Sequence, residues 1–228
     1  MLKYKLFLFL IWCYVTNGSA QTPEELIAKV NKNFAGVKDY SADLMMNFSI
    51  PGVNIEPMAG KVFFKQPDKF RVRTKGIVFL PKQNPYYALA LLKDTDAYTA
   101  VSGGMEEIQA VSCTVINVIP SGENDLILGK FWIDAANGLV IKSQLTTKSN
   151  GTVSIENTFG SMRTFALPDK IVFTIDVAKF KVPKAVAVDL NSKSAPKSGG
   201  NPKGTGIISL QFSKYALNKK MTDEVFKD

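Results

Sequence analysis

Polar and apolar residues alternate along most of this chain, and the stretch GKVFFKQPDKFRVRTKG, residues 60–76, shows it most sharply. Val62, Phe64, Phe70, Val72 and Thr74 fall in one register, and Lys61, Lys65, Arg71, Arg73 and Lys75 fall in the other, with Phe63 the one exception. Side chains on a strand point alternately to the two faces of a sheet, so the segment predicts a hairpin with one apolar and one cationic face. Its turn falls at Gln66, Pro67, Asp68 and Lys69.

The same texture recurs. Strands are expected near 39–50, 58–66, 69–80, 96–101, 107–118, 126–134, 139–149, 152–162 and 170–181, with a last one from Gly206. Turn signals separate them: Gly103-Gly104, Ser121-Gly122, Asn137-Gly138, Asn150-Gly151 and Pro168-Asp169. Leu139, Ile141 and Leu145 share one register, as do Val153, Ile155 and Phe159, then Ile171, Phe173, Ile175 and Val177, and Ile208, Leu210 and Phe212. Two segments follow a helical period instead. In PEELIAKVNKNFAGV, Pro23 and two glutamates suit a first turn, Gly36 suits a stop, and Leu26, Ile27, Val30 and Phe34 form one apolar stripe. In NPYYALALLKD, residues 84–94, Tyr86, Tyr87, Leu89, Leu91 and Leu92 make a helix too short and too apolar to stand alone.

These elements predict a mainly β protein with some helix. About ten antiparallel strands in meander order form one curved sheet, a half-open barrel whose concave face is covered by two or three short helices. Two helices are a thin cover for the apolar side of ten strands. Either the sheet folds on itself as a barrel, or the space beneath the helices is partly unfilled and holds a guest, in a pocket of several hundred cubic ångströms.

Composition changes the picture at several points. MLKYK, then LFLFLIWCYV, then TNGSA has the layout of a secretory signal peptide cut after Ala20, so residues 1–20 are expected to be removed and 21–228 to form a single exported domain. The chain contains no histidine, which removes the usual general base. Beyond the signal only Cys113 remains, inside the apolar run VSCTVINVI, where a thiol is most often a small core residue. The net charge of +8 is spread along the chain, as on a solvated surface. Residues 183–206 break the alternation with Ser, Lys, Pro, Gly and Asn, and are expected to be a flexible basic insertion. Glu106 and Glu107 are adjacent on a strand and so face opposite ways, which makes a poor acid–base pair.

VKDYSADLMMNF leading into GKVFFKQPDKFRVRT, followed later by FWIDAANGLVIKSQ and LPDKIVFTIDV, resembles the LolA-like outer-membrane lipoprotein carriers, a superfamily that includes LolB and RseB-type sensors. The resemblance covers most of residues 22–217 apart from the insertion. It implies a half-barrel with a helical lid, a cavity that shields acyl chains from water in transit across the periplasm, and no chemistry and no cofactor. The carriers have arginine in the turn after their second strand, where it ties the lid shut; here Gln66 stands in that place. Read this way, Val62, Phe64, Phe70, Val72, Ile141 and Leu145 line the concave wall together with Ile155, Phe159, Phe173, Ile175 and Phe212. Tyr86, Tyr87, Leu89 and Leu92 form part of the lid. The implied partners are lipid or lipoprotein acyl chains, an inner-membrane donor and an outer-membrane acceptor. The protein is expected to be a periplasmic monomer that binds no nucleic acid and is not an enzyme. The alternative is an envelope sensor module on the same fold that recognises a lipid or a protein partner.

Overall fold

The structure, a computed structural model, describes residues 21–52, 54–75, 85–123, 125–179 and 204–227, with only the backbone of 85–87. The signal segment and nearly all of the 183–206 insertion lie outside the described residues. Helix α1, Pro23–Ala35, begins where a capping box closes: the Glu25 amide donates to the Thr22 hydroxyl at 3.2 Å and the Thr22 amide donates to the Glu25 carboxylate at 3.1 Å. Ten strands follow: β1 Asp39–Ser49, β2 Met58–Lys65, β3 Lys69–Thr74, β4 Tyr98–Ile108, β5 Val111–Pro120, β6 Leu126–Asp134, β7 Leu139–Thr147, β8 Gly151–Thr158, β9 Lys170–Asp176 and β10 Thr205–Leu217. Helix α2, Pro85–Leu91, lies between β3 and β4.

All ten strands join one antiparallel sheet in the order β3-β2-β1-β10-β9-β8-β7-β6-β5-β4. The expected meander is therefore split. β1–β3 and β4–β10 are each meanders, but β10 pairs with β1, which leaves β3 and β4 as the two free edges. The connection that carries α2 must pass from one edge to the other. Laid flat, ten strands span roughly 43 Å, whereas a 13-residue helix is roughly 20 Å long. Yet Leu26, Ile27 and Val30 of α1 share one core cluster with residues of β1 and of β5 to β10, so the sheet curves around the helix.

Two departures from the expected pattern have local causes. Gly103-Gly104 is no turn. β4 runs through it with a bulge between Ser102 and Met105, and the chain reverses instead at Gln109 and Ala110, both left-handed at φ 52° and 59°. That is a two-residue hairpin of the type usually built from Asn and Gly, here made by residues that carry no turn signature. Gly104, at φ 87°, supplies the backbone freedom of the bulge, and a Cβ on Gly103 would meet Val115 and Asn117 at 2.8 Å. Gly104→Ala is thus expected to cost about 1 kcal/mol from backbone strain alone, and Gly103→Ala more, read as shifts of the urea midpoint.

The second departure lies in β7. A register shift between Trp132 and Ile133 places Trp132 opposite Lys142 and Ile133 opposite Val140, so Ile141 falls in a bulge. Ile141 then leaves the register of Leu145. It packs with Cys113, Val115, Trp132 and Leu139, on the opposite face from the neighbouring Ile116 and Phe131. Cys113 is fully buried there, and burial pushes its thiol up, the behaviour of a small core residue.

Candidate functional site

The concave wall is built from the alternating positions expected of it. Leu145, Ile155, Phe173 and Ile175 are buried in the cluster that contains α1, and Val62 and Phe64 are buried in an adjoining one. Phe70, Val72 and Phe212 are half-buried against those clusters, and Phe159 lies at the pocket described below. Ile141 is an exception, for the reason given, and Phe159, just past β8, packs against the cluster of Ile141 as well. In the lid segment Leu92 is fully buried and Leu89 half-buried, whereas the side chains of Tyr86 and Tyr87 lie outside the described residues.

The two helices are held very differently. The Lys29 ammonium of α1 donates to the carbonyls of Ala135 and Ala136, at 2.7 and 3.0 Å, and the Asn33 amide donates to those of Asn137 and Gly138, at 2.6 and 3.0 Å. These fasten α1 to the β6–β7 turn, which Asp134 shapes by accepting from both the backbone and side-chain nitrogens of Asn137. By contrast, the described side-chain hydrogen bonds on the α2 segment converge on one atom. The Leu92 carbonyl accepts from the Asn31 amide at 2.8 Å and from the Tyr98 hydroxyl at 3.1 Å. Burial, helped by Asp94, pushes the Tyr98 phenol up, so it stays a neutral donor. Gln66, at the position of the carriers' arginine, reaches the other helix: its side chain donates to the Ala35 carbonyl at 3.4 Å, at the end of α1.

Between α1, α2 and the sheet lies a pocket lined by Val30, Phe34, Ala88, Leu89, Phe131, Val140, Ile155 and Phe159, with Ser143 and Asn157 as its polar members. Its free volume is about 40 Å³, far below the several hundred expected. Space of that size holds about one water. The apolar residues of α1 and α2 have closed onto the wall, so the helices fill more of the concavity than their length suggests. The Asn157 amide nitrogen donates to the Val140 carbonyl at 2.9 Å, and its buried side-chain oxygen has no hydrogen-bond partner among the described residues. Ala88, Phe131, Val140 and Asn157 were not singled out from the sequence; Phe131 and Asn157 continue the inward alternation of β6 and β8, whereas Val140 becomes a wall residue only through the bulge.

Glu106 lies on the opposite face. Hydrogen bonds from the Trp132 indole at 2.7 Å and the Lys130 ammonium at 2.9 Å hold its carboxyl below the usual range.

An open antiparallel sheet curved around helices on its concave side is a fold similar to that of solved LolA-superfamily structures. A LolA superfamily protein from Nitrosomonas europaea superposes with a TM-score of 0.54 at 14% identity, over 92% of this chain and 99% of that one. A DUF1329 family protein from Desulfovibrio piger gives 0.57 at 10% identity, over 90% and 95%. A domain from Vibrio parahaemolyticus classed with outer-membrane lipoprotein-sorting proteins gives 0.55 at 11% identity, over 90% and 96%. At these identities the likeness is one of fold. No protein-family model and no curated protein matches the sequence.

Proposed function

We propose that this protein is a periplasmic carrier that takes lipid, or the acyl chains of lipoproteins, between its helices and its sheet and delivers them toward the outer membrane. In this reading residues 1–20 are a cleaved signal, 21–228 form one domain, and 183–206 are a basic insertion. The observation that carries the proposal is the contrast between the helices. Among the described residues, α1 is fastened by four side-chain hydrogen bonds, while the side-chain hydrogen bonds to the α2 segment meet on the single carbonyl of Leu92, just past the helix.

In the structure α2 lies against the wall, and in this reading a chain enters when α2 lifts. Lifting it exposes Leu92 at about 2 kcal/mol, parts of Ala88 and Leu89, and breaks two hydrogen bonds of about 1 kcal/mol each, roughly 5 kcal/mol in all. Burying twelve methylenes returns about 10 kcal/mol at about 0.8 each. Capture therefore wins by a modest margin, which suits a carrier that must also release. The wall residues Val62, Phe64, Phe173, Ile175 and Phe212 then contact the chain.

Protein purified from the periplasm is expected to yield bound lipid on organic extraction and mass spectrometry, and stripped protein to take up a fluorescent fatty acid. No lipid and no uptake, even at millimolar fatty acid, would overturn the reading. The tightly closed pocket favours one second reading, an envelope sensor that uses the same fold to bind a partner protein. Deleting 191–205 separates the two: a carrier keeps its fatty-acid affinity, whereas a sensor docking through the insertion loses its partner.

A further inference from the structure

We propose that the outer face of the β2–β3 hairpin is a docking site for a short acidic peptide of a partner protein, and that the chain's own residues 222–227 occupy it as a stand-in. The face is the cationic register of the hairpin. Pairing puts Lys61 opposite Arg73, Phe63 opposite Arg71 and Lys65 opposite Lys69, all pointing away from the buried Val62 and Phe64. Onto it folds the short 3-10 turn Asp223–Phe226. The Asp223 carboxylate bridges two ammonium groups, one oxygen 2.7 Å from Lys65 Nζ and the other 2.7 Å from Lys69 Nζ. Arg73 donates to the Val225 carbonyl at 3.0 Å, and Arg71 donates to the Lys227 carbonyl. The Arg73 guanidinium also lies 5.4 Å above the Phe63 ring, which explains the one apolar residue in this register.

Recognition has two parts. Alternate residues of a strand, 71 and 73, stand roughly 6.6 Å apart on one face and meet carbonyls two residues apart on the incoming chain. That part reads peptide backbone of any sequence. The lysine pair adds the demand for a carboxylate two residues earlier. A membrane surface offers negative charge but no such row of carbonyls, so the contacts favour a peptide. Among the described residues β3 is also an edge strand of the sheet.

The stand-in is weakly held. The turn buries no residue, and half-exposed ion pairs are worth about 0–1 kcal/mol each. It stays in place because it is tethered, which gives an effective concentration in the millimolar range. The two ammonium groups hold the Asp223 carboxyl at about 2, so it remains charged at any physiological pH. A partner peptide with more acidic residues displaces it. This site is on the far side of the sheet from α1 and α2, so it stands or falls separately from acyl-chain binding.

The test uses the full chain and a fluorescein-labelled peptide KMTDEVFK, a copy of residues 220–227, followed by anisotropy. Asp223→Ala is expected to bind it about tenfold more tightly than the unaltered protein, because the internal competitor is released. Adding Lys65→Glu and Lys69→Glu to that variant, or changing the peptide's Asp to Asn, is expected to abolish the gain. Should the double charge reversal fail to fold, Arg73→Gln at the exposed edge strand gives the same reading. No gain for Asp223→Ala, or a gain indifferent to these changes, shows that the turn is only structural and overturns the proposal. Tighter binding of Asp223→Ala to phosphatidylglycerol vesicles than to the peptide assigns the face to a membrane instead, and equally overturns it.

Discussion

Phe64→Ala is expected to lower the unfolding free energy by about 3–5 kcal/mol, seen as a fall in the urea midpoint at an unchanged slope. Phe64 is buried where α1, β1 and β2 meet, its ring 5.4 Å from that of Phe34 and 5.5 Å from that of Tyr40. Tyr40 in turn lies 5.5 Å from Tyr215 of β10, whose hydroxyl donates to the Pro168 carbonyl at 2.7 Å. The Phe64 ring thus joins β2 to α1 and β1, with Tyr40 passing the contact on to β10, and ring pairs of this geometry add about 0.5–1.5 kcal/mol each beyond burial. Tyr40 is buried and Tyr215 half-buried, and burial pushes both phenols up. Phe70 is the control. It carries the same side chain opposite Phe64, but on the edge strand and only half-buried, so Phe70→Ala is expected to cost less than about 2 kcal/mol. Equal losses at the two positions would refute the placement of this cluster.

What could be read from the sequence follows from what is local. A period of two assigns faces without knowledge of partners, which is why Val62, Phe64, Phe173 and Ile175 emerged correctly as inward residues. The start of α1 was equally legible, because Pro23 and the glutamates act within one turn. Pairing across the sheet is not local. Nothing in β1 or β10 announces that they meet, yet that contact moves β3 and β4 to the edges and sends α2 across the concavity. Bulges defeat the period for the same reason: the extra residue at Ile141 is set by the register against β6, invisible within β7 itself. Gly103-Gly104 misled because glycine serves a bulge and a turn alike, while Gln109 and Ala110 adopt left-handed backbone under the demand of a two-residue loop. The pocket was overestimated because apolar wall was counted against helix length alone, whereas α1 and α2 press directly onto it.

The largest functional effect is expected from Asn31→Ala combined with Tyr98→Phe. Both side chains donate to the one carbonyl of Leu92. With either alone removed, the carbonyl keeps a partner, so each single variant is expected to change fatty-acid uptake within about threefold. With both removed, a buried acceptor is left unsatisfied in the closed state, at about 1–3 kcal/mol, while in the open state water satisfies it. The closed state alone is penalised, so the opening equilibrium shifts by roughly tenfold to a hundredfold, and the two substitutions are strongly non-additive. Stopped-flow uptake of a fluorescent fatty acid should accelerate by that factor. Amide exchange over 85–92 should accelerate with it, while exchange in α1, fastened separately through Lys29 and Asn33, stays as before. Faster exchange in α2 without faster uptake would show that the helix moves but gates nothing. Unchanged exchange in the double variant would show that packing of Ala88 and Leu92, and not the shared carbonyl, keeps α2 down.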